Sequence, residues 1–318
     1  LSRARIEEYG QPTLLLFEPG RSGEYLILIR GELDFVENGY DISVTCLEGC
    51  EYETTRFPIV LVHGWMGFDE IGPAEYFYHV PEMLRARGYW VAVATLDPFN
   101  SIDFRSEQLA EDVDDTLVDA RARKVNIVAH SQGGLDSRRL ISTLGYGDRV
   151  SSLTTVATPH QGTPLCDVAL GLLPGAGEEA MYFLLNLLGA TATGSESDAE
   201  ASFYALTEEH VQNVFNPANP DDPRVAYFSW MGRTCLLGIG CDDACDAAIV
   251  FSHELILAIE GDNDGIVPVS SAPWGDYRGE VAADHFDEVG QLFGATGPNF
   301  DHIEFYLERA RDLESAGH

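Results

Sequence analysis

Lys124-Val-Asn-Ile-Val-Ala-His-Ser-Gln-Gly-Gly134 is the stretch that decides the fold. Val125–Val128 reads as a buried strand, and Leu135, Leu140 and Ile141 follow it with helix-like spacing. Between the two lies Ala129-x-Ser131-x-Gly133. A serine at such a strand-to-helix turn is held in a strained backbone conformation. Small residues two before and two after it let the chain fold that tightly, so the hydroxyl stands clear above the sheet. Alanine replaces the usual glycine at the first small position. An ordinary exposed serine would share this local pattern, so the rest of the chain has to decide.

Three further stretches do so. Upstream, Phe57-Pro-Ile-Val-Leu-Val-His-Gly64 is a buried-strand run ending in His-Gly. In hydrolases of this architecture that loop supplies one oxyanion-hole N–H, and the residue after the nucleophile supplies the other. The corresponding residues are Trp65 and Gln132. Downstream, Gly261-Asp-Asn-Asp264-Gly-Ile-Val-Pro268 puts a carboxylate just past Leu255–Ile259, an apolar run read as a strand. Asp264 can hold a histidine in the right tautomer and stabilise its protonated form. His285 follows in Asp284-His-Phe-Asp-Glu-Val289. The order Ser131…Asp264…His285 is that of the α/β-hydrolase triad. His63, His130 and His160 flank the other motifs and read as pocket-wall groups or as groups that stand behind the site residues. The chemistry implied is ester hydrolysis through an acyl-serine. A carboxylesterase or polyester hydrolase, an acyltransferase, and a non-catalytic binding protein on the same fold are the other readings.

Strands expected at Trp90–Thr95, Leu153–Ala157 and Ala226–Trp230 alternate with helices expected at Glu107–Val118 and Ile303–Leu313. Such alternation predicts a mostly parallel central sheet covered by helices on both faces. The catalytic domain is expected over residues 57–318. Residues 1–56 read as a β-rich extension, with apolar runs at Leu14–Phe17 and Tyr25–Ile29 and a third segment at Asp34–Thr45, and carry no catalytic pattern.

With these residues assembled, the chain resembles the bacterial true lipases of Pseudomonas and Burkholderia type, the family I triacylglycerol lipases. The resemblance rests on Pro58–Asp69, Lys124–Gly134, Ala157–Gly162, Tyr227–Trp230, Asn263–Val267 and His285–Gln291, and spans roughly residues 57 to 315. It implies Ser131 as nucleophile, Asp264 as triad acid, His285 as base, and Trp65 and Gln132 as oxyanion donors. It also implies a structural Ca2+ site built from Asp243, Asp287, the side chain of Gln291 and the carbonyl of Ala295. Calcium favours such oxygen donors. The substrate implied is a lipid ester at an oil–water interface, and many members need a dedicated membrane-anchored foldase. In lipases an insertion at about 166–197 is the lid. Here Val168–Leu173 and Met181–Leu188 are apolar on nearly every side, which suits a lid that meets lipid and equally a pair of buried core helices. Two features depart from the family: the 56-residue leader, and Ser270 where the family's usual disulfide has a cysteine.

Composition narrows the partners. With 52 acidic against 19 basic residues and a net charge of −33, nucleic acid and anionic membranes are disfavoured as steady partners. No apolar run has the length of a transmembrane helix. No signal peptide is visible at Leu1, so a chain starting after processing is expected, in a secreted protein. Six cysteines fit an oxidising compartment. Cys235, Cys241 and Cys245 cluster, as do Cys46 and Cys50; local bridges are expected, with pairing left open.

Overall fold

The computed structural model describes residues 54–65, 76–174, 177–188 and 198–318. The chain divides into two units, Leu1–Tyr52 and Glu53–His318, and the described residues belong to the second. The strands expected in the leader, Cys46 and Cys50, and residues 175–176 and 189–197 of the expected lid lie outside the described residues.

Six strands form one sheet: β1 (Ile59–Val62), β2 (Val91–Val93), β3 (Val125–His130), β4 (Val150–Val156), β5 (Ala226–Gly232) and β6 (Asp276–Val281). Their order is β2-β1-β3-β4-β5-β6, and every pairing is parallel. The central strands are buried along their whole length. That burial explains their near-continuous runs of Val, Ile and Leu, because helices cover both faces of a parallel sheet. On one face Ile59, Leu61, Val128 and Val156 pack against α1 (Val80–Arg87) and the C-terminal helix His302–Ala316. On the other, Val60, Val62, Ile127 and Ala129 meet Leu109 and Val113 of α2 (Ile102–Ala120) and Leu140 and Ile141 of α3 (Gln132–Ser142).

The chain runs from β1 to β2 on one side and then, through α2, crosses back to β3 on the other side of β1. A crevice opens at such a switch point, beyond the carboxyl ends of the strands. Val62 pairs with Ala129, so the loops after β1 and β3, carrying Gly64 and Ser131, emerge side by side.

One expectation is corrected. Leu255–Ile259 is not a strand but the end of a helix, Val250–Ile259. Its buried residues are Ser252, His253 and Ile256, which recur at helical spacing. Five apolar residues in a row satisfy either structure, and the length of the element decides. The sixth strand is instead β6, whose sequence Asp-Tyr-Arg-Gly-Glu-Val alternates between exposed and half-buried positions at the sheet edge.

The apolar insertion begins with α4 (Pro164–Ala169) and α5 (Gly177–Leu188). Leu165, Val168, Ala180 and Leu184 turn inward onto a cluster that also holds Trp65, Val267 and Phe286. Tyr182 points to solvent.

Ile127 is fully buried at the centre of the sheet. Ile127→Ala should lower unfolding free energy by about 2–5 kcal/mol, read as a reduced denaturant midpoint with an unchanged slope. A change below about 1 kcal/mol would contradict this packing.

Candidate active site

Ser131 sits between β3 and α3 with φ +56° and ψ −133°, a region that L residues rarely occupy. The turn survives because its neighbours have no side chain to obstruct it. A Cβ on Gly133 would lie 2.7 Å from the carbonyl oxygens of Val62 and His63. One on Gly64 would lie 2.5 Å from the Ser131 Cβ. The two loops therefore touch through glycine.

The three residues expected to act together are together. His285 Nε2 lies 3.1 Å from Ser131 Oγ, and its Nδ1 lies 2.7 Å from Asp264 Oδ2. The other Asp264 oxygen accepts the amides of Ile266 and Val267 at 2.8 and 2.7 Å. Those bonds fix the carboxylate so that Oδ2 faces the imidazole. The backbone adds a second tie, from His285 N–H to the Asp264 carbonyl at 2.9 Å. Asn263 shapes the turn, its side chain accepting the Gly265 amide and donating to the carbonyls of His253 and Gly261.

Trp65 and Gln132 flank Ser131 and share one partner. The Trp65 indole donates to Ser202 Oγ at 2.7 Å, and Ser202 donates to Gln132 Oε1 at 3.1 Å. Gln132 opens α3, where a backbone N–H has no intrahelical acceptor. Arg105, fully buried, braces the same loop from α2. It pairs with Asp136 Oδ2 at 2.8 Å and donates to the His63 carbonyl at 2.7 Å.

Sequence reasoning missed Tyr76 and Glu288 beneath the triad. Of the two readings of His130, the structure bears out a group behind the site: it is completely buried against His285, with ring centroids 4.5 Å apart. Its Nε2 lies 2.7 Å from Glu288 Oε2 and its Nδ1 lies 2.6 Å from Tyr76 Oη. Tyr76 Oη in turn accepts the Gly64 N–H at 3.0 Å. One arrangement fits these contacts: Gly64 N–H donates to Tyr76, Tyr76 O–H to His130 Nδ1, and His130 Nε2–H to Glu288 Oε2, while Glu288 Oε1 has no hydrogen-bond partner. Burial, followed by the charge of His285, drives His130 well below the usual imidazole range. Burial, followed by the charge of Asp264, drives Glu288 well above the carboxylate range. A neutral His130 places no positive charge against His285 when that ring is protonated. His63 is also neutral, lowered to about 3 by burial and by Arg105. It accepts the Leu96 amide at 3.1 Å. His160 contacts Arg138 and Thr155. Neither His63 nor His160 takes the position of His285.

Asp243 and Asp287 converge as expected, and Asp284 joins them; ligand atoms of the three lie within 4.8 Å of one another. Neither carboxylate oxygen of buried Asp243 has a hydrogen-bond partner. Asp287 accepts the Gly297 amide at 2.8 Å, whereas Asp284 is already engaged by the amides of Asp246, Phe286 and Asp287. Gln291 and Ala295 lie on the loop between Asp287 and Gly297. Three buried carboxylates with two orphaned oxygens suit a hard cation. Burial raises Asp284 to about 7. Burial and the neighbouring charge of Asp284 raise Asp287 to about 8. Of the three clustered cysteines, Cys235 and Cys241 form a disulfide, and Cys245 is free.

A family model described as palmitoyl protein thioesterase matches residues 58–228, from β1 into β5. Over 290 aligned residues the chain is 30% identical to a triacylglycerol lipase of Vibrio cholerae, an alignment covering 84% of this chain and 90% of that one. It is 27% identical to a triacylglycerol lipase of Pseudomonas fragi, covering 83% of this chain and 98% of the relative. The crystal structure of Bacillus licheniformis lipase BlEst2 in mature form shares the fold. Its TM-score is 0.59 at 22% identity, over 80% of this chain and 92% of that chain.

Tyr76→Phe removes the link between the Gly64 loop and His130. Losing two buried hydrogen bonds, each worth about 0.5–1.5 kcal/mol, should lower kcat several-fold with KM unchanged. An unchanged kcat would show that the loop holds its position without the link.

Proposed function

The chain belongs to the α/β-hydrolase lipases, within the family described as palmitoyl protein thioesterase, and from that premise we propose how its residues hydrolyse a lipid ester. His285 Nε2 takes the proton of Ser131 Oγ, and the oxygen attacks the ester carbonyl carbon. Asp264 steadies the imidazolium that forms. The backbone N–H groups of Trp65 and Gln132 receive the oxyanion; such a donor is typically worth about 3–4 kcal/mol of barrier. As the tetrahedral adduct collapses, His285 returns its proton to the departing alcohol and an acyl-serine remains. Water then attacks with His285 as base, releasing the fatty acid and restoring Ser131. The observation that carries this reading is His285 bridging Ser131 Oγ and Asp264 Oδ2 at 3.1 and 2.7 Å.

A triacylglycerol is the favoured substrate, because the curated lipase relatives align over most of both chains. The apolar inner face of α4 and α5 supports the same reading, as a lid over a site where Ser131 is only 3% exposed. The thioester named by the family model is the second reading, since the same acyl-serine would form with a thiolate as leaving group. Within the lipases we place the chain beside the Pseudomonas and Burkholderia type on the motifs around Ser131, Asp264 and His285. Secretion is part of the proposal: the Cys235–Cys241 disulfide suits an oxidising compartment. Among the described residues no helix is long and apolar enough to cross a membrane.

Asp243, Asp284 and Asp287, with oxygens from Gln291 and Ala295, would hold Ca2+. The ion would neutralise the buried carboxylates and tie the loop carrying His285 to the segment carrying Asp243.

Ser131→Ala should reduce hydrolysis of long-chain triacylglycerol by several orders of magnitude while leaving the melting temperature intact. Retained activity would remove the assignment. A series of short esters, long esters and a palmitoyl thioester, run beside it, ranks the substrate classes.

Calcium has a pH signature. The folded values of Asp284 and Asp287, about 7 and about 8, stand above the ordinary 3.8 of a carboxyl. Between those limits the folded chain binds more protons than the unfolded one, so without the cation its stability falls as pH rises from about 4 to about 8. Ca2+ favours the ionised forms and should offset that loss. The gap in melting temperature between calcium and chelator should therefore be wider at pH 8 than at pH 5. An equal gap at both would contradict the site.

A further inference from the structure

Cys235-Leu-Leu-Gly-Ile-Gly-Cys241 is closed into a small ring by its terminal disulfide. The ring carries no charged residue, in a chain whose net charge is −33. Its large side chains face water: Leu237 and Ile239 are each 78% exposed, and Leu236 is 40% exposed. Leu237 holds φ +55°, and Gly238 and Gly240 hold +68° and +106°. A leucine in left-handed backbone is uncommon, and here it displays an apolar side chain instead of hiding one.

The base of the ring is fixed beside the catalytic acid. Thr234 N–H donates to the Asn263 carbonyl at 3.1 Å, and Cys245 N–H donates to the Cys235 carbonyl at 3.0 Å. The ring follows β5 at the end of the sheet where Ser131 stands. Next to it the helix Val250–Ile259 exposes Phe251, Leu257 and Ile259. Phe251 meets Phe183 of α5 with ring centroids 5.7 Å apart. Exposed apolar side chains thus recur from the ring along this helix towards the insertion, with Glu254 exposed among them.

We propose that the 235–241 ring is a lipid anchor, inserting Leu237 and Ile239 into an uncharged lipid surface and presenting the Ser131 end of the sheet to it. The charge of the chain favours this occupant over a second copy. Two molecules at −33 repel each other on approach, whereas a neutral lipid surface offers no like charge. A seven-residue ring is also small beside the roughly 800 Å² per partner of a stable protein interface, whereas weak, reversible lipid binding scales with the apolar area inserted and has no such threshold. The proposal takes its purpose from the lipid-ester reading, and its measurement does not depend on catalysis.

The test uses sedimentation with phosphatidylcholine vesicles, on Ser131→Ala protein with and without Leu237→Ser plus Ile239→Ser. The doubly substituted ring should bind about tenfold or more weakly, and replacing part of the phosphatidylcholine by phosphatidylglycerol should weaken binding further. With Ser131 present, the double variant should keep its melting temperature and its rate on a short soluble ester, and lose rate on emulsified triacylglycerol. Equal vesicle binding by both rings, or no binding by the native ring, overturns the proposal. So does a native dimer in analytical ultracentrifugation that the double variant abolishes, because the ring would then be a contact between copies. Failure to hydrolyse any soluble ester would instead sink the catalytic reading and leave the vesicle result standing.

Discussion

The parallel pairing of β1 with β3 is the constraint on which the site depends. Its register sets Val62 opposite Ala129, and two residues further on it brings Gly64 against Ser131. The approach is so close that a single methyl group on Gly64 would collide with the serine. Both loops leave their strands at the switch point, where a parallel sheet opens a crevice. The strained serine turn is retained there because Val62, His63 and Thr158 crowd Gly133 and Gly134 from behind. The geometry of the nucleophile is therefore a property of the sheet core, set many residues away from the chemistry.

A second layer holds the base. His285 is oriented by Asp264, and Asp264 by two amides of its own turn. Beneath them, Tyr76, His130 and Glu288 run as a buried chain from the Gly64 amide to within 3.8 Å of His285 Nδ1. Low dielectric makes such a chain costly if any member is unpaired and rigid when all are paired. Burial disfavours a charge on His130, so the positive charge that the proposed reaction creates on His285 meets no second imidazolium there. Two members of the acidic cluster, Asp284 and Asp287, flank His285 on one loop and Asp243 joins them from another segment, so a cation there and the triad would share one mechanical element.

Legibility followed the locality of each signal. Ser131, Asp264 and His285 could be read because a nucleophile turn is written in five residues and the triad has a fixed chain order. The sheet was legible where strands are buried on both faces and read as plain apolar runs. It was misread at Leu255–Ile259, where a short apolar run fits strand and helix alike. It was missed at β6, an edge strand with polar residues on its exposed side. Tyr76 and Glu288 gave no warning, because their meaning lies in contacts with His130 across 54 and 158 residues. Asp284 stood beside the base in plain view, but nothing in its spacing revealed that three backbone amides would hold it at the cation cluster.

The central claim is that one end of this sheet assembles a serine nucleophile, its base and an oxyanion site from separate loops. The most direct measurement is a crystal structure of the chain after reaction with a long-chain alkyl phosphonate. The account predicts phosphorus bonded to Ser131 Oγ, with the phosphoryl oxygen about 2.7–3.1 Å from the backbone nitrogens of Trp65 and Gln132. Phosphorus on another residue, or a phosphoryl oxygen turned away from both nitrogens, would contradict it.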